Sequence, residues 1–319
     1  MKVSVLGCGR WGSFLAWYSC FCGYNTKLWG KEDSRNLRKL IKTRKNDYLS
    51  LQEEIILTDS LQEAVDCADY LIVSISSQSL RSLSKELNKF NLSNRTIILA
   101  MKGIEKGTGL RLTEVLKSEI SQNINLAIWV GPGHVQAYLN SVPNCMLISS
   151  ENHDLTEEIV KLFNSELIRL YTGEDLIGNE IGAAAKNVIG IAAGMLDGMN
   201  YSSLKGALMA RGAREVSRLV KAMSGNEISV YGLSHIGDYE ATLFSEYSNN
   251  RAFGENFILN KKFDKLAEGV ATVESILFLA EKYDVEMPIS EAIYSIIIEN
   301  QNPKTVLKEL FLRDTKSEF

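Results

Sequence analysis

A glycine-rich turn near the first residue has the spacing of a pyrophosphate-binding turn. Gly7, Gly9 and Gly12 form a GxGxxG pattern. An apolar run, Lys2–Leu6, precedes the pattern, and a helical pattern, Trp11–Cys22, follows it. Glycine at these three positions permits a tight turn, close approach of the backbone to a ligand, and packing of helix on strand. Because a helix N-terminus also favours anions, the turn predicts dinucleotide binding.

Two lysines stand where hydride-transfer chemistry would need a cation. Lys102 follows the apolar run Thr96–Ala100, at the carboxyl edge of a predicted strand, where open α/β folds bind ligands. Lys186 lies within the apolar helical pattern Gly178–Met199. Reduction of a carbonyl by a nicotinamide requires a proton donor for the developing alkoxide, and burial tunes a lysine for this task. The alternative is that Lys186 snorkels from a helix edge into water.

Three further polar or glycine-containing stretches are candidates for a site. Gly131–Gly133 follows a predicted strand and could expose backbone N–H groups to a ligand. In His235–Thr242, Asp238 and Thr242 would share a face if the stretch were helical. Taken alone, that stretch and Ser248–Gly254 are more typical of caps and loops than of a site.

The end of the second predicted strand bears on the cofactor. Gly30 and Lys31 stand about where an NAD-specific domain places an acid on the ribose 2′-hydroxyl. Without that acid, and with Lys31 able to pair with a 2′-phosphate, the sequence favours NADPH, or use of both nicotinamide cofactors. The alternative is that Lys31 is a solvated surface residue beside Glu32.

The elements that must position these residues alternate between strands and helices in the first half of the chain. Several apolar runs lack polar alternation, as expected for strands covered by helices on both faces. The pattern predicts an α/β fold with a Rossmann-like, doubly wound, mainly parallel sheet. The predicted strands are Lys2–Leu6, Thr26–Trp29, Ile55–Leu57, Tyr70–Ile75, Thr96–Ala100, Leu126–Val130, Cys145–Ile148 and Ile168–Tyr171. Helical spacing is found in Ser34–Thr43, Ser77–Asn88, Leu110–Ile120 and Leu155–Asn164.

The second half of the chain lacks the strand pattern. Helical spacing continues through Ala207–Met223, Thr272–Lys282, Ser290–Glu299 and Pro303–Leu312. We therefore expect a dinucleotide-binding domain over residues 1–177 and an all-helical substrate and catalytic domain over residues 178–319.

Composition excludes several classes of protein. The 319 residues are 45% hydrophobic and 23% charged, which is ordinary for a globular protein, and the net charge of −4 offers no general attraction to nucleic acid or anionic lipid. The first residues lack the length of a signal peptide, and no apolar run approaches the roughly 20 residues of a spanning helix. We expect a cytoplasmic protein without membrane insertion or bound metal, assembled as a homodimer. Its cysteines show no CxxC spacing and are expected to be reduced core thiols: Cys8, Cys20, Cys22, Cys67 and Cys145.

Over nearly its whole length the chain resembles the bacterial NAD(P)-dependent sn-glycerol-3-phosphate dehydrogenases. The most specific shared motif is the run from Gly182 to Gly194 around Lys186 and Asn187. The other shared motifs are Gly7–Gly12, Lys102–Glu105, Gly131–Pro132, Arg211–Gly212, Gly237–Asp238, Ala267–Gly269 and Met287–Ile289.

The resemblance implies reversible reduction of dihydroxyacetone phosphate to sn-glycerol 3-phosphate, which feeds glycerophospholipid synthesis. It implies that Lys186 is the general acid and base, assisted by Lys102 and Asp238. For the cofactor it implies Gly7, Gly9, Arg10, Trp11, Gly12, Lys31, Lys102, Val135 and Glu268. For a phosphorylated small-molecule substrate it implies Lys102, Gly131, Gly133, Lys186, Asp238, Thr242, Ser248, Asn249, Asn250 and Arg251.

Two departures from the family pattern concern phosphate recognition. Asn249 replaces an arginine that contacts the substrate phosphate in the family, and it cannot form a bidentate, charge-assisted pair. Arg251 is a possible substitute. Gly133 and Gln136 fall in the turn where the family carries a hydroxyl and a lysine. Two alternatives therefore stay open: a dehydrogenase for another small carbonyl substrate, and a non-catalytic nucleotide-binding relative.

Overall fold

The computed structural model describes residues 1–66, 68–315 and 317–318, which form two compact units. The first comprises Met1–Lys102 and Leu110–Glu180. The second comprises Gly103–Gly109 and the described chain from Ile181 onward. The units thus divide after residue 180, whereas the sequence prediction divides the chain after residue 177 and assigns 103–109 to the first domain.

The segment Gly103–Gly109 belongs to the second unit because its contacts are made there. The hydroxyl of Ser275 donates to the carbonyl of Glu105 at 3.2 Å, and Lys106 pairs with Glu274 at 2.9 Å. A Cβ on Gly109 would lie 2.7 Å from the ring of Phe278. Such long-range contacts leave no periodic signal in the sequence.

The first unit is built on a sheet of eight described strands in the order β3-β2-β1-β4-β5-β6-β7-β8. Neighbouring strands are parallel except for the antiparallel pair β6 and β7. The strands are β1 (Lys2–Leu6), β2 (Asn25–Trp29), β3 (Ile56–Thr58), β4 (Tyr70–Val73), β5 (Thr96–Leu99), β6 (Asn125–Val130), β7 (Asn144–Ser149) and β8 (Ile168–Gly173).

Both faces of the sheet are buried, as the apolar runs predict. In β4, Tyr70 and Ile72 join a core that includes Phe14 and Phe163, while Leu71 and Val73, which point to the opposite face, are fully buried too. The strand order reverses between β1 and β4, and open α/β sheets bind ligands in the crevice beyond the strand ends at such a point. The predicted doubly wound, mainly parallel fold with a helical second half is confirmed.

Seven described helices belong wholly to the first unit. The predicted helix Ser77–Asn88 starts as a 3₁₀ turn, Ser77–Ser79, before α4. Two helices of five residues, α3 and α6, are absent from the sequence prediction because periodicity cannot be read over little more than one turn. The helices are α1 (Arg10–Phe21), α2 (Arg35–Thr43), α3 (Leu61–Val65), α4 (Leu80–Leu87), α5 (Leu112–Glu119), α6 (Val135–Leu139) and α7 (His153–Phe163).

The second unit is helical, and the unit boundary falls within the 23-residue helix α8. The sequence prediction assigns Ser248–Gly254 to caps and loops. Ser248 is the N-cap of a helix, as this prediction allows, but residues 249–254 lie in helix α10 and not in a loop. His235–Thr242 forms a 3₁₀ turn, Ile236–Asp238, and the start of a π-helical turn, Glu240–Phe244. The helices are α8 (Leu176–Gly198), α9 (Lys205–Ala222), α10 (Asn249–Ile258), α11 (Glu268–Lys282), α12 (Pro288–Ile297) and α13 (Pro303–Phe311).

Glycines along α8 let α10 pack at backbone distance. A Cβ on Gly194 would lie 1.9 Å from the carbonyl oxygen of Arg251, and one on Gly254 would lie 2.1 Å from the carbonyl oxygen of Ile191. Larger side chains would push the two helices apart. The small residues of α8 therefore fix the position of the residues that α10 carries.

Four cysteines are described, and all four are free thiols. Cys8 is buried in the core, Cys20 and Cys22 are half-buried and pack against it, and Cys145 is half-buried. Cys67 lies outside the described residues.

Candidate active site

The turn Gly7–Gly12 has the shape that its glycines predict. Gly7 has a φ of +121°, and a Cβ there would lie 2.1 Å from the carbonyl oxygen of Ser74. A Cβ on Gly12 would lie 1.8 Å from the carbonyl oxygen of Gly7. Beside Gly9, in contrast, no described atom lies within 4 Å of the Cβ position. The first and third glycines are thus required by packing, and the second faces space that a ligand can occupy.

The two residues between Gly9 and Gly12, Arg10 and Trp11, contact other segments of the first unit. Helix α1 begins at Arg10 with Gly9 as its N-cap, and the guanidinium of Arg10 lies 5.0 Å from the centre of the Tyr48 ring. The indole of Trp11 covers Gly133, where a Cβ would lie 2.9 Å from the ring. A side chain at position 133 would therefore require the Trp11 ring to shift.

The end of β2 has no carboxylate directly after the strand. A Cβ on Gly30 would lie 2.4 Å from the Sγ of Cys8, so this position tolerates a larger side chain only if that thiol moves. Lys31 is exposed, and Ser34 caps α2 by accepting from the backbone N–H of Leu37. The strand end therefore offers a cation where NAD-specific domains carry an acid.

Lys102 forms a hydrogen bond between the segments that follow the carboxyl ends of β5 and β6. Its Nζ donates to the carbonyl oxygen of Gly131 at 2.9 Å, and its side chain is half-buried. Gly131 has a φ of +124°, a conformation that favours glycine. Val135, a predicted cofactor residue, is 2% exposed in the core of this unit, so only its backbone is available to a ligand.

In the second unit, three predicted site residues converge on one point. The Nζ of Lys186 lies 2.9 Å from Oδ2 of Asp238 and donates to Oγ1 of Thr242 at 2.5 Å. Both charged side chains are buried, with 7% and 1% exposed. Lys186 is therefore a paired interior cation, which excludes the snorkelling alternative.

The hydrogen bonds in this group have a definite direction. The hydroxyl of Thr242 donates to the carbonyl oxygen of Asp238 at 2.7 Å, so its oxygen accepts from the ammonium of Lys186. Asp238 balances the charge of the ammonium, which would be costly to bury alone. The arrangement holds a protonated amine in a fixed position, as a proton donor requires.

A second group of polar residues lies along the same stretch of α8. Nδ2 of Asn250 donates to Oδ1 of Asn187 at 3.0 Å, and Oδ1 of Asn250 accepts from the N–H of Gly269 at 3.0 Å. A Cβ on Gly190 would lie 2.8 Å from Cγ2 of Thr242 and 3.3 Å from Cβ of Asn250. Thr242 and Asn250 therefore flank Gly190. The neighbouring Glu268, a predicted cofactor residue, is the half-buried first residue of α11.

The remaining predicted substrate residues are engaged in structural contacts. Ser248 accepts from the N–H of Arg251 at 3.3 Å as the cap of α10, and Nδ2 of Asn249 donates to the carbonyl of Leu266 at 3.1 Å. The guanidinium of Arg251 lies 2.7 Å from Asp197 and 3.1 Å from Glu255. A substrate phosphate would have to compete with these two carboxylates for Arg251.

The sequence prediction does not include Asn187 and His235 among the site residues. Asn187 directly follows Lys186, and its side chain accepts a hydrogen bond from Asn250, which is distant in the sequence. His235 belongs to a stretch identified as polar, but its contact with Gly182 lies 53 residues away in sequence.

No group of three or more His, Cys, Asp or Glu side chains among the described residues could hold a metal ion. Among the described helices, none combines the length and the apolar character needed to cross a membrane.

Comparison with known proteins identifies the family. Residues 2–156 match the family model for the N-terminus of NAD-dependent glycerol-3-phosphate dehydrogenase, and residues 175–308 match the model for its C-terminus. The chain is 36% identical to the glycerol-3-phosphate dehydrogenase [NAD(P)+] of Fusobacterium nucleatum, with 100% of this chain and 99% of that protein covered. It is 33% identical to the protein of that name from Staphylococcus aureus, with 99% of each covered.

Solved structures agree with this assignment. The glycerol-3-phosphate dehydrogenase of Coxiella burnetii superposes with a TM-score of 0.90 at 25% identity, over 98% of this chain and 99% of that one. A ketopantoate reductase from Ralstonia eutropha has a TM-score of 0.61 at 11% identity, over 97% and 99%, and shares the fold alone. The chain belongs to the NAD-dependent glycerol-3-phosphate dehydrogenase family.

Proposed function

We propose that the chain catalyses the reversible NAD(P)H-dependent reduction of dihydroxyacetone phosphate to sn-glycerol 3-phosphate, for glycerophospholipid synthesis. The observation that carries this proposal is the buried ammonium of Lys186, held between Asp238 and Thr242. An ammonium fixed in this way can donate a proton to an oxygen that becomes negative during reduction.

The glycine turn fits a dinucleotide. The open space beside Gly9 lets a pyrophosphate approach the backbone. Gly9 is the N-cap residue of α1 and has no side chain that could cap the first amides of the helix. When bound, the reduced nicotinamide supplies the hydride. We assign the Gly7–Gly12 turn, with Arg10 and Trp11, to cofactor binding.

In the proposed reaction the residues of the chain manage the proton and the charge. Lys186 donates a proton to the C2 oxygen of the substrate as hydride reaches C2, and the alkoxide becomes the hydroxyl of the product. In the reverse direction, the neutral amine accepts that proton. Asp238 stabilises the ammonium, and Thr242 fixes its direction by accepting one of its hydrogen bonds. Lys102 adds positive potential for the phosphorylated substrate and the cofactor.

Turnover by the purified protein tests the proposal. We expect consumption of NADPH or NADH with dihydroxyacetone phosphate, and a fall in kcat of about 10²- to 10⁴-fold in Lys186→Met, which loses the proton donor. The matched control is Lys221→Met, since Lys221 lies on the surface of α9 with 69% of its side chain exposed. Folded wild-type protein that consumes neither cofactor with this substrate would contradict the proposal.

Asn249 supports a second candidate, a dehydrogenase for another small carbonyl compound. The side chain at this position carries no charge, and the nearby Arg251 is paired with Asp197 and Glu255. The same assay with dihydroxyacetone and other unphosphorylated ketones and aldehydes separates the two candidates. A higher kcat/KM for an unphosphorylated substrate would favour the second.

We further propose that the enzyme prefers NADPH, on the basis of Lys31 and the missing acid at the end of β2. In Lys31→Ala, the ratio of kcat/KM for NADPH to that for NADH should fall by about fivefold, as expected for one exposed charge pair of about 1 kcal/mol. Lys42→Ala, at the exposed end of α2, serves as the control. An unchanged ratio in Lys31→Ala would remove Lys31 from the cofactor site.

A cytoplasmic location and a homodimer are also part of this proposal. Light scattering combined with size-exclusion chromatography measures the second: we expect a mass near twice that of the chain.

A further inference from the structure

Next to the lysine group lies a second buried network, formed by His235 and Tyr239. The hydroxyl of Tyr239 lies 2.6 Å from Nε2 of His235, and Nδ1 of His235 lies 2.7 Å from the carbonyl oxygen of Gly182. The histidine is fully buried and Tyr239 is 1% exposed. The proposed mechanism makes no use of either side chain.

The partners fix the protonation of the histidine. The carbonyl of Gly182 can only accept, so Nδ1 carries the hydrogen and Nε2 accepts from the hydroxyl of Tyr239. Burial, together with the nearby cation of Lys186, lowers the pKa of His235 to about 4. The imidazole is therefore neutral at physiological pH and adds no charge beside the ammonium.

The same carbonyl connects this network to the backbone of the catalytic lysine. In helix α8, the backbone N–H of Lys186 donates to the carbonyl of Gly182, four residues earlier. His235 donates to that carbonyl from outside the helix. A Cβ on Gly182 would lie 3.1 Å from Cβ of His235, so glycine here permits the close approach. The histidine thus joins its own segment to the helical turn that presents Lys186.

The other end of the network holds Asp238. His235 and Tyr239 flank the 3₁₀ turn Ile236–Asp238, and the hydrogen bond between their side chains spans it. The charged groups that act on His235 are Lys186 and Asp238; the titratable groups that act on Tyr239 are the carboxyl of Glu215 and the neutral phenol of Tyr231. One neutral pair of side chains therefore connects the lysine and the aspartate through their backbones.

We propose that His235 and Tyr239 are positioning residues for the Lys186–Asp238 pair, setting the distance between ammonium and carboxylate without touching the substrate. The proposal rests on the proposed function, in which this pair transfers the proton. Loss of the network should displace the ammonium from the substrate oxygen, and a displacement of about 1 Å can reduce the rate by about 100-fold.

Three variants and one control test this role. His235→Leu removes both hydrogen bonds, and His235→Asn keeps a donor near the position of Nδ1. Tyr239→Phe removes only the donor to Nε2. Tyr201→Phe is the control, since Tyr201 lies on the surface of the same unit with 39% exposed. The readouts are kcat, both KM values and the pH profile of kcat.

We expect kcat to fall by about 10- to 100-fold in His235→Leu, with the KM for the cofactor unchanged, and by less in Tyr239→Phe. His235→Asn should recover most of the loss. With Asp238 farther from the ammonium, Lys186 should lose its proton at lower pH, so the basic limb of the profile for reduction should move to lower pH. Folded His235→Leu with the kcat and pH profile of the wild type would overturn the proposal.

A measurement without turnover separates this proposal from the proposed function. Protein labelled with ¹³C at the lysine ε-carbons gives a Lys186 resonance that is assigned by its loss in Lys186→Met. In His235→Leu we expect this resonance to shift and to titrate at lower pH than in the wild type. An unchanged resonance and titration would overturn the positioning role even if no substrate is turned over. Failure of the wild type to reduce any carbonyl would overturn only the proposed function.

Discussion

At the level of residues, the central feature is the set of hydrogen bonds that holds the buried ammonium of Lys186. The ammonium donates to a carboxylate and to a hydroxyl, and that hydroxyl donates to a backbone carbonyl. Buried charge is tolerated where it is paired and hydrogen-bonded in this manner. The same pairing that offsets the cost of burying the ammonium also fixes its orientation.

Thr242→Val tests the directing role of the hydroxyl. The change keeps the shape of the side chain but removes the acceptor of Lys186 and the donor to Asp238. We expect kcat to fall by about tenfold and the free energy of unfolding to fall by about 1 to 3 kcal/mol, because buried polar groups lose their partner. Enzyme kinetics and urea unfolding measure the two effects.

The control for this change is Thr172→Val, at an exposed position of β8. It should leave kcat and stability nearly unchanged. If Thr242→Val behaved like this control, the hydroxyl would have no part in orienting the lysine.

At the level of elements, glycines at the contacts between helices decide how closely α10 and α11 approach α8. A Cβ on Gly269 of α11 would lie 2.6 Å from the carbonyl oxygen of Asn187, and one on Gly194 of α8 would lie 1.9 Å from that of Arg251. Asn250 and Gly269 are held against α8 by these contacts and by their hydrogen bonds. The small residues are thus part of the site, because they position it.

Gly194→Ala should lower the free energy of unfolding by about 3 kcal/mol, at the upper end of the usual cost of overpacking, since the added methyl would meet a backbone carbonyl. Gly206→Ala is the matched control. It also lies in a helix, α9, but has no described atom within 4 Å of its Cβ position, and alanine should stabilise it by about 0.5 to 1 kcal/mol. Denaturant unfolding of both variants measures the difference. Equal effects of the two changes would show that α8 and α10 are not held at backbone distance.

The strands and helices differ in how well the sequence predicts them. Apolar runs such as Lys2–Leu6 predicted their strands because a strand buried on both faces is recognisable without any partner. The antiparallel pairing of β6 with β7 left no such signal, because the direction of a strand depends on the connection before it. The sequence pattern does not predict helix α10, and its packing against α8 at backbone distance involves residues far away in the sequence.

The candidate site is predictable to the extent that its residues lie in recognisable motifs. The sequence makes Lys186 and Asp238 candidates through a charge in an apolar helix and through resemblance to a family. The role of His235 could not be found, since it depends on a carbonyl 53 residues away. The engagement of Arg251 with Asp197 was equally hidden, because ion pairs across a fold have no fixed spacing in sequence.

At the level of the whole molecule, each of the two units contains a buried glutamate that accepts hydrogen bonds at a helix N-terminus. Glu180 accepts from the N–H of Thr113 at the start of α5, and Glu215 accepts from Ile289 and Ser290 at the start of α12. Burial raises the pKa of both carboxyls, to about 7 for Glu215.

The raised pKa of Glu215 makes stability depend on pH in a definite direction. The unfolded chain ionises this carboxyl near its ordinary value of 4.5, whereas the folded chain does so near 7. The folded state therefore binds the proton more tightly, and the contribution of Glu215 to stability is largest below pH 4.5. It decreases as pH rises from 4.5 to 7 and is constant above. A shift of this size corresponds to about 3 kcal/mol.

Glu215→Gln removes the titration while keeping an oxygen that accepts from the start of α12. The stability of the wild type relative to this variant should therefore decrease by roughly 3 kcal/mol between pH 5 and pH 8, measured as the difference in denaturant unfolding at each pH. Glu309→Gln, at an exposed position of α13, should show no such trend. A difference between wild type and Glu215→Gln that stays constant with pH would mean that Glu215 ionises alike in the folded and unfolded chains. A difference that grows with pH would mean that its hydrogen bonds to α12 outweigh the cost of burying its charge.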